Sequence, residues 1–317
     1  MHDWKFYFYG IGAEYSLRPL CEYMQKNNFD CVELDPLQDD IFEKLKNDKT
    51  SKKYSALISS QHFYYGRNGR VNSRQKDFLS LLEMFAILRP NFTVFAPHDL
   101  FCPVHQDEVP FLNILDLYLA AEERERIFEQ YCPVEVIGWI PSMAEDIENF
   151  ELYNNGVWLI SGAPFLSGEY GSDVVSEIIA RQIKNFCSVK IASWFNAEEI
   201  ENKLRAQGVH VIPSHIPASA VIRQSSFVIT NGPSSVAREA FLFKKPLFLL
   251  LDEMLLLPSD KKNLWKLFDL PNFCGTFSQA AVLARIQEGI VEPSNMRSEQ
   301  LLKTASEAIL RHLPKNP

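Results

Sequence analysis

The residues best suited to binding an anion lie where the apolar stretch 227–230 gives way to a helical pattern. Gly232 lies in a turn of small residues, and Ser234 and Ser235 then open the predicted helix. The first N–H groups of a helix have no intrahelical partners, and the helix dipole adds partial positive charge there. With serine hydroxyls as further donors, this end of the helix is suited to phosphate groups. The structural alternative is that Ser234 is an ordinary N-cap.

Glu239 lies about one turn into the same helix. From there its carboxylate can accept hydrogen bonds from a ribose, and the alternative is a residue on a solvated helix face. The chain contains no Asp-x-Asp motif, the pattern that usually supplies oxygen ligands to Mg²⁺ or Mn²⁺ at a diphosphate. The sequence therefore favours phosphate binding without a metal ion.

His98 follows a second apolar stretch, 92–95. A histidine can take up a proton near neutral pH because its unperturbed pKa lies there. Two alternatives stay open: His98 can be a purely structural residue, or it can join Cys102 and His105 as a zinc ligand. The zinc signal is weak, because the loop lacks a Cys-x-x-Cys partner.

Gly10 and Gly12 follow the first strand pattern, 5–9, and would let the backbone approach a ligand closely. The dinucleotide-binding fingerprint requires a third glycine further on, where this chain has Tyr15. No Lys-Ser or Lys-Thr pair follows either, as a phosphate-binding P-loop would need. An NAD-dependent enzyme and an NTPase are therefore disfavoured, and a tight turn between strand and helix is the structural alternative.

The run 61–70 mixes aromatic side chains with the cations Arg67 and Arg70. Guanidinium groups bind phosphates and carboxylates in a bidentate manner, so this loop is a candidate for receiving an acidic glycan or a lipid phosphate. A surface loop without a ligand is the more common case for such a composition.

These loops are joined by strand and helix patterns that alternate along the chain, which is typical of a parallel sheet covered by helices on both faces. The polar, aperiodic segment 142–155 reads as a linker between two such series. The sequence thus predicts an α/β protein with two Rossmann-like, doubly wound domains facing a cleft, at 1–141 and 156–317. Ligands of such sheets bind beyond the carboxyl ends of the strands. Packing of the last helices back on the N-terminal domain stays open.

The overall composition disfavours several classes of protein. Hydrophobic residues make up 46% and charged residues 23% of the chain, so extensive disorder is not expected. A net charge of −8 disfavours general nucleic-acid binding, which requires a basic surface. Six scattered cysteines without a Cys-x-x-Cys pair favour a reducing, cytoplasmic setting. No stretch is long and apolar enough for a membrane span, and peripheral association with the inner face of the membrane is left open.

The segment 210–251 resembles the donor site of glycosyltransferase-B enzymes, especially bacterial capsule, teichoic-acid and sialic-acid-type transferases. In those enzymes a Ser-Ser pair after a strand grips the donor phosphate, and a helix containing Glu-Ala leads to Lys-Pro and the next strand. Glu239-Ala240 and Lys245-Pro246 stand at these places here. A smaller matching fragment, Gly138-Trp139-Ile140-Pro141, lies at the predicted domain crossing.

The resemblance implies a metal-independent transferase of polysaccharide biosynthesis. Such an enzyme moves a sugar or polyol phosphate from a UDP- or CMP/CDP-linked donor to a hydroxyl of a glycan or lipid-linked glycan. No cofactor is expected, because the nucleotide sugar is itself a substrate. The residues implied in donor binding are Gly232, Ser234 and Ser235 at the phosphates, Glu239 at the ribose, His215 at the base pocket and Ser161 facing the nucleotide.

For catalysis the resemblance implies a general base in the N-terminal domain. His98 stands at the family's histidine, although the usual His-Gly pair is replaced here by His98-Asp99. Glu14, in the loop of Gly10 and Gly12, is the alternative base. Two other functions stay open: a nucleotide-sugar hydrolase or epimerase of similar fold, and a non-catalytic binding or scaffold protein.

Overall fold

The structure is a computed structural model of the 317-residue chain, and its described residues form two compact units. The first unit comprises the described residues up to Met143 together with 298–315, and the second comprises 150–288. The residues that the structure describes are 3–10, 17–35, 40–48, 52–63, 79–101, 103–143, 150–160, 171–183, 185–192, 197–250, 262–288 and 298–315.

The first unit is built on a six-stranded parallel sheet. Its strands are β1 (Trp4–Tyr9), β2 (Asp30–Leu34), β3 (Tyr54–Ser59), β4 (Phe92–Phe95), β5 (Leu117–Ala120) and β6 (Val134–Val136). They are arranged in the order β2-β1-β3-β4-β5-β6. β1 is buried along its whole length, as expected for a strand covered on both faces. Phe6 and Phe8 pack in one apolar cluster and Tyr7 and Tyr9 in another, because successive side chains point to opposite faces.

The helices of the first unit are α1 (Arg18–Lys26), α2 (Ile41–Asn47) and α3 (Leu81–Leu88), with 3-10 helices at Val109–Ile114, Glu123–Gln130 and Ile140–Met143. α3 begins with a capping box. The Ser80 hydroxyl accepts the N–H of Glu83 at 3.2 Å, and the Glu83 carboxylate accepts the N–H of Ser80 at 2.8 Å. The sequence predicts this helix from Ser73, but the capping box fixes its start at Leu81; residues 73–78 lie outside the described residues.

The second unit contains another six-stranded parallel sheet. Its strands are β7 (Gly156–Ile160), β8 (Ser188–Ile191), β9 (Val211–Ile212), β10 (Phe227–Thr230), β11 (Leu247–Leu249) and β12 (Phe273–Thr276), in the order β12-β11-β10-β7-β8-β9. Its helices are α4 (Ser172–Ile183), α5 (Ala197–Ala206), α6 (Ala218–Gln224), α7 (Ser235–Leu242), α8 (Trp265–Phe268) and α9 (Gln279–Gln287), with a 3-10 helix at Tyr153–Asn155. The alternation of strand and helix predicts this architecture, and the prediction is confirmed.

The C-terminal helix, α10 (Ser298–His312), belongs to the first unit, whereas α9 stays with the second. The residues of its buried face are Leu302, Ala305, Ala308 and Ile309. These pack in the same apolar cluster as one face of β1, and Arg311 at the helix end pairs with Glu135 of β6 at 3.0 Å. Of the last two helices, one therefore packs on the N-terminal unit. Among the described helices, none combines the length and the apolar character that crossing a membrane requires.

Three local predictions differ from the structure. The sequence predicts a charged helix over 122–131, and the structure has the tighter 3-10 helix Glu123–Gln130 there. The first residues of the predicted linker, Ser142 and Met143, are buried in the first unit, because the apolar Met143 side chain packs in its core. β12 was not predicted, since it carries Gly275 and an exposed Cys274 and lies at the edge of its sheet, where the strand pattern is weak.

Each sheet has one place where the chain reverses the direction in which it adds strands. In the first sheet β1 lies between β2 and β3, and in the second β7 lies between β8 and β10. Tyr9 is the register partner of Ser59, and Leu159 is the partner of Thr230, so the strands at each reversal end side by side. Connections leaving such a pair diverge to opposite faces and open a crevice. The candidate loops that follow Tyr9 and Thr230 therefore begin at these switch points.

Gly156 lies where β7 pairs with β10, and the packing there leaves no room for a side chain. A Cβ built on Gly156 would lie 1.9 Å from the ring of its register partner Phe227, which is 1% exposed and so cannot move aside freely. We expect Gly156→Ala to lower the free energy of unfolding in urea by about 1–3 kcal/mol, as overpacking does. Gly171→Ala is the matched control, because nothing lies within 4 Å of its added Cβ. Equal stability of the two variants would contradict the packing argument.

Candidate functional site

The loop between β10 and α7 is closed by the side chain of Thr230. Its hydroxyl donates to the carbonyl of Gly232 at 2.8 Å and accepts the N–H of Gly232 at 3.3 Å. Asn231, within this turn, is fully buried, whereas Pro233 and Ser234 are partly exposed. The turn is therefore more exposed to solvent at Pro233 and Ser234 than at Asn231.

Ser234 is the N-cap residue of α7, with an extended backbone (φ −142°, ψ 167°), but its side chain makes no capping hydrogen bond. The Ser234 hydroxyl oxygen is shielded from solvent and has no hydrogen-bond partner among the described residues. A buried hydroxyl without a partner costs about 1–3 kcal/mol, so a ligand atom that paired with it would be stabilising. The hydroxyl and the first N–H groups of α7 together have the composition of an anion site.

Glu239 is a buried carboxylate rather than a residue on a solvated face, because only 3% of its surface is exposed. Its Oε1 accepts a hydrogen bond from Ser219 Oγ of α6 at 2.6 Å. Burial lowers the pKa of Arg223, and the charge of Glu239 partly offsets that effect. A buried carboxylate is tolerated when it is hydrogen-bonded, so this contact fixes α7 against α6. The ribose contact of Glu239 stays a prediction.

His215 is exposed in the turn that follows β9. Lys190 of β8 is 1% exposed and stabilises this turn, because its Nζ donates to the Ser214 carbonyl at 3.2 Å. The chain then enters α6, where Ser219 binds Glu239 of α7. The structure thus connects the predicted base-pocket segment to the helix that carries the predicted phosphate and ribose contacts.

In the first unit, the backbone of Ser60 joins two candidate loops. The Ser60 N–H donates to the carbonyl of Tyr9, directly before the buried Gly10. The Ser60 carbonyl accepts from Nδ1 of His98, which follows β4, at 2.5 Å. The start of the glycine loop and His98 therefore lie at the same edge of the first sheet. The predicted site residues outside the described part of the chain are Gly12, Glu14, Arg67, Arg70 and Ser161, and their roles stay predictions.

His98 belongs to a group that we name the histidine cluster, formed by His62, His98, His105 and Glu108. The His62 ring is perpendicular to the His98 ring at a centroid distance of 4.6 Å, and its centroid lies 4.7 Å from that of His105. Glu108 is 2% exposed and accepts from Nδ1 of His62 at 3.1 Å. Within the described residues, no group of three or more His, Cys, Asp or Glu side chains is arranged to hold a metal ion, and Cys102 lies outside them.

Burial, followed by the charge of His62, lowers the pKa of His98 to about 4. The imidazole is therefore neutral at pH 7. A carbonyl oxygen only accepts hydrogen bonds, so the contact with Ser60 places the ring hydrogen on Nδ1 and the lone pair on Nε2. A neutral histidine in this tautomer can accept a proton at Nε2, which is what a general base must do.

Sequence reasoning missed Glu108 and Lys190. Lys190 interrupts an apolar strand, and a charged residue within a buried strand is a signal that sequence inspection can detect. Glu108 stands in an ordinary polar stretch, far along the chain from His62. Its role depends on a long-range contact, and no local pattern indicates such a contact.

Comparisons with known proteins identify the fold. No protein-family model matches the chain, and no curated protein matches it significantly in sequence. A proposed UDP-N-acetylglucosamine 2-epimerase from Listeria monocytogenes is 12% identical with a TM-score of 0.50, and the match covers 99% of this chain and 97% of that one. The UDP-GlcNAc 2-epimerase from Neisseria meningitidis bound to UDP-GlcNAc is 12% identical with a TM-score of 0.44, covering 97% and 100%. The wall teichoic acid polymerase TagF is 10% identical with a TM-score of 0.48, covering 99% and 84%.

At these identities the likeness shows the fold alone. The chain has the glycosyltransferase-B type of fold, and the resemblance inferred from the sequence is confirmed at that level. A fold of this kind serves several reactions, so the reaction has to be argued from the site.

The Ser219–Glu239 contact predicts a stability effect. We expect Ser219→Ala to lower the free energy of unfolding by about 1–3 kcal/mol, because a buried carboxylate loses a donor. Ser225→Ala is the matched control: Ser225 is equally buried at the end of the same helix, but its hydroxyl donates to the neutral carbonyl of Ile222 at 2.8 Å, and about 0.5–1.5 kcal/mol is expected there. Urea unfolding measures both, and a smaller loss for Ser219→Ala than for Ser225→Ala would argue against the contact.

The lowered pKa of His98 predicts a pH dependence of stability. The pKa is about 4 in the folded chain against an ordinary value of 6.5. Above pH 6.5 His98 is neutral in both the folded and the unfolded chain, so its titration does not reduce the free energy of unfolding there. As the pH falls towards 4 the unfolded chain takes up the proton first, and stability is lost by at most about 1.4 kcal/mol per pH unit. Urea unfolding should therefore show a steeper loss for the wild type than for His98→Gln in this range, and parallel curves would refute the assignment.

Proposed function

We propose that the chain is a metal-independent glycosyltransferase that holds the diphosphate of a nucleotide-sugar donor at the amino end of α7. The observation that carries the proposal is the Ser234 hydroxyl, which is buried and has no hydrogen-bond partner among the described residues. It stands at a helix amino terminus that follows β10, beside the switch point of the second sheet. Helix N–H groups and the helix dipole favour an anion at such a place.

The donor lies along the carboxyl edge of the second sheet in this proposal. Ser234, Ser235 and the first N–H groups of α7 bind the diphosphate, and Gly232 allows the backbone to approach it. Glu239, whose position is fixed by Ser219, accepts hydrogen bonds from the ribose. His215 and its turn lie against the base, which is uridine or cytidine, and Ser161 faces the nucleotide.

The reaction is transfer to a hydroxyl of a glycan or lipid-linked glycan, within polysaccharide biosynthesis. The acceptor O–H bond breaks and its proton moves to Nε2 of His98, or to Glu14 as the alternative base. A new bond forms between the acceptor oxygen and the anomeric carbon, and the bond from that carbon to the donor phosphate breaks. The electron pair leaves with the diphosphate, whose growing charge is stabilised by Ser234, Ser235 and the helix N–H groups. The protein works in the cytoplasm, at the inner face of the membrane when its acceptor is lipid-linked.

Replacing both serines tests the donor site. We expect Ser234→Ala/Ser235→Ala to weaken binding of UDP- or CDP-sugars roughly tenfold or more, because hydrogen bonds to charged phosphate oxygens are worth about 1.5–3 kcal/mol each. A thermal-shift titration measures this, since a ligand stabilises the folded chain by an amount that grows with the logarithm of its concentration over Kd. Ser226→Ala, at the opposite end of β10, is the matched control. Unchanged affinity in the double variant would place the donor elsewhere.

The same preparations separate the alternative functions. An epimerase or hydrolase acts on the donor alone, so nucleotide or epimer formation at full rate in buffer without an acceptor would favour it; the likeness to the Listeria protein keeps this alternative in view. Release of nucleotide that depends on an added glycan acceptor would favour transfer. Absence of stabilisation by any UDP-, CDP- or CMP-sugar would favour a non-catalytic binding or scaffold protein.

A further inference from the structure

We propose that Glu108 and His62 are positioning residues for His98, holding its imidazole in one orientation with Nε2 as the proton-accepting atom. The purpose of this arrangement rests on the proposed function, whereas the arrangement itself lies entirely within the first unit.

Glu108 is a carboxylate with both oxygens engaged. Its Oε1 accepts the N–H of Phe63 at 2.8 Å, and its Oε2 accepts from Nδ1 of His62 at 3.1 Å. Burial alone would raise the pKa of Glu108, but its hydrogen bond with His62 and the charge of His62 outweigh burial and lower it. An ionised carboxylate only accepts hydrogen bonds, so Nδ1 of His62 carries a hydrogen.

The ring of His62 contacts two other histidine rings. Its Nδ1 is fixed by Glu108, and its ring meets His98 at an interplanar angle of 89° and His105 at 64°. Edge-to-face contacts at centroid distances of 4.6 Å and 4.7 Å lie in the favourable range for aromatic pairs. The orientation of the His62 ring therefore follows from Glu108 on one side and from its two neighbours on the other.

His98 contacts both the His62 ring and the backbone of Ser60, the residue that follows β3. Its Nδ1 donates to the Ser60 carbonyl at 2.5 Å, and Ser60 is itself tied to Tyr9 of β1. Rotation of the imidazole would break that hydrogen bond and the edge-to-face contact with His62. The charges of His62 and His105 lower the pKa of His98, and the charge of Asp99 raises it.

A purely structural role for Glu108 is the competing explanation. Glu108 directly precedes the 3-10 helix Val109–Ile114, and its carboxylate accepts the backbone N–H of Phe63. The two roles predict different effects when Glu108 is replaced. If Glu108 only caps the backbone, its loss lowers stability and leaves the titration of His98 unchanged. If it positions the cluster, its loss also changes the tautomer of His62 and the titration of His98.

Glu108→Gln tests this because glutamine has one acceptor oxygen for two donors. With that oxygen kept on Phe63, the amide NH₂ faces Nδ1 of His62 and moves the ring hydrogen to Nε2. We expect ring nitrogen NMR of the histidine-labelled full chain to show this change of tautomer at His62. We also expect the titration of His98 to shift by about half a pH unit or more, because the His62 ring that faces it changes its hydrogen-bonding state.

Glu125→Gln is the matched control. Glu125 is an equally buried carboxylate of the same unit, but its partners are the Tyr118 hydroxyl at 2.5 Å and the N–H of Glu122 at 2.8 Å. This variant should lose stability and leave the resonances of His62 and His98 in place. If Glu108→Gln also leaves them in place, the inference is overturned.

A second variant keeps the inference open to refutation if Glu108→Gln fails to fold. His62→Asn retains an amide donor for Glu108 but removes the ring whose charge lowers the pKa of His98, so that pKa should rise; no change would refute the positioning role. The readout needs no sugar transfer. A shifted titration without transferase activity would refute the proposed function alone, and transfer with an unshifted titration would refute this inference alone.

Discussion

Parallel pairing of the strands is the interaction on which both candidate sites depend. It brings the carboxyl ends of neighbouring strands to one edge of each sheet, and the reversal of strand order makes the connections diverge there. The register of Tyr9 with Ser59 places the end of β1 and Gly10 beside the backbone that binds His98. The register of Leu159 with Thr230 places the entrance of α7 at the corresponding point of the second sheet. A shift of either register would move these polar groups away from the edge.

Around these edges the chain buries charged groups and fixes each one with a directed hydrogen bond. Lys190 binds a backbone carbonyl, Glu239 binds Ser219, and Glu108 binds His62. Burying a charge without such a partner is strongly unfavourable, so each of these side chains has little freedom to move. Inside a protein, hydrogen-bonded groups of this kind hold their neighbours rigidly. Rigid placement is what a site needs when it is to stabilise charge that develops during a reaction.

The sequence predicts the architecture well because its signals are local. The aromatic run of β1, the small-residue turn at Gly232 and the alternation of strand with helix each follow from neighbouring residues. The sequence also locates Ser234 and His98 at strand ends. It does not reveal that the Ser234 hydroxyl lacks a partner among the described residues, or that Glu108 reaches His62, because burial and long-range contacts decide both. The apolar pattern that predicts α3 extends back to Ser73, whereas Ser80 and Glu83 form the capping box that starts the helix at Leu81.

A fold of this kind serves several reactions, so the choice between the proposed transfer and its epimerase alternative depends on the chemistry of the proposed base. Epimerisation has to break a bond at a stereocentre of the sugar, and removing a proton from carbon calls for a strong base. A histidine whose pKa is lowered to about 4 is a weak base that is neutral at pH 7 and can accept a proton there. Such a base suits a hydroxyl, because the hydroxyl proton becomes acidic only as the oxygen bonds to the anomeric carbon and can then be taken up with little driving force. The contact with Ser60 leaves the lone pair on Nε2, the atom that accepts the proton in the proposed reaction. If His98 is the base, as proposed, its electrostatics suit transfer to an oxygen nucleophile better than chemistry at the sugar carbon itself.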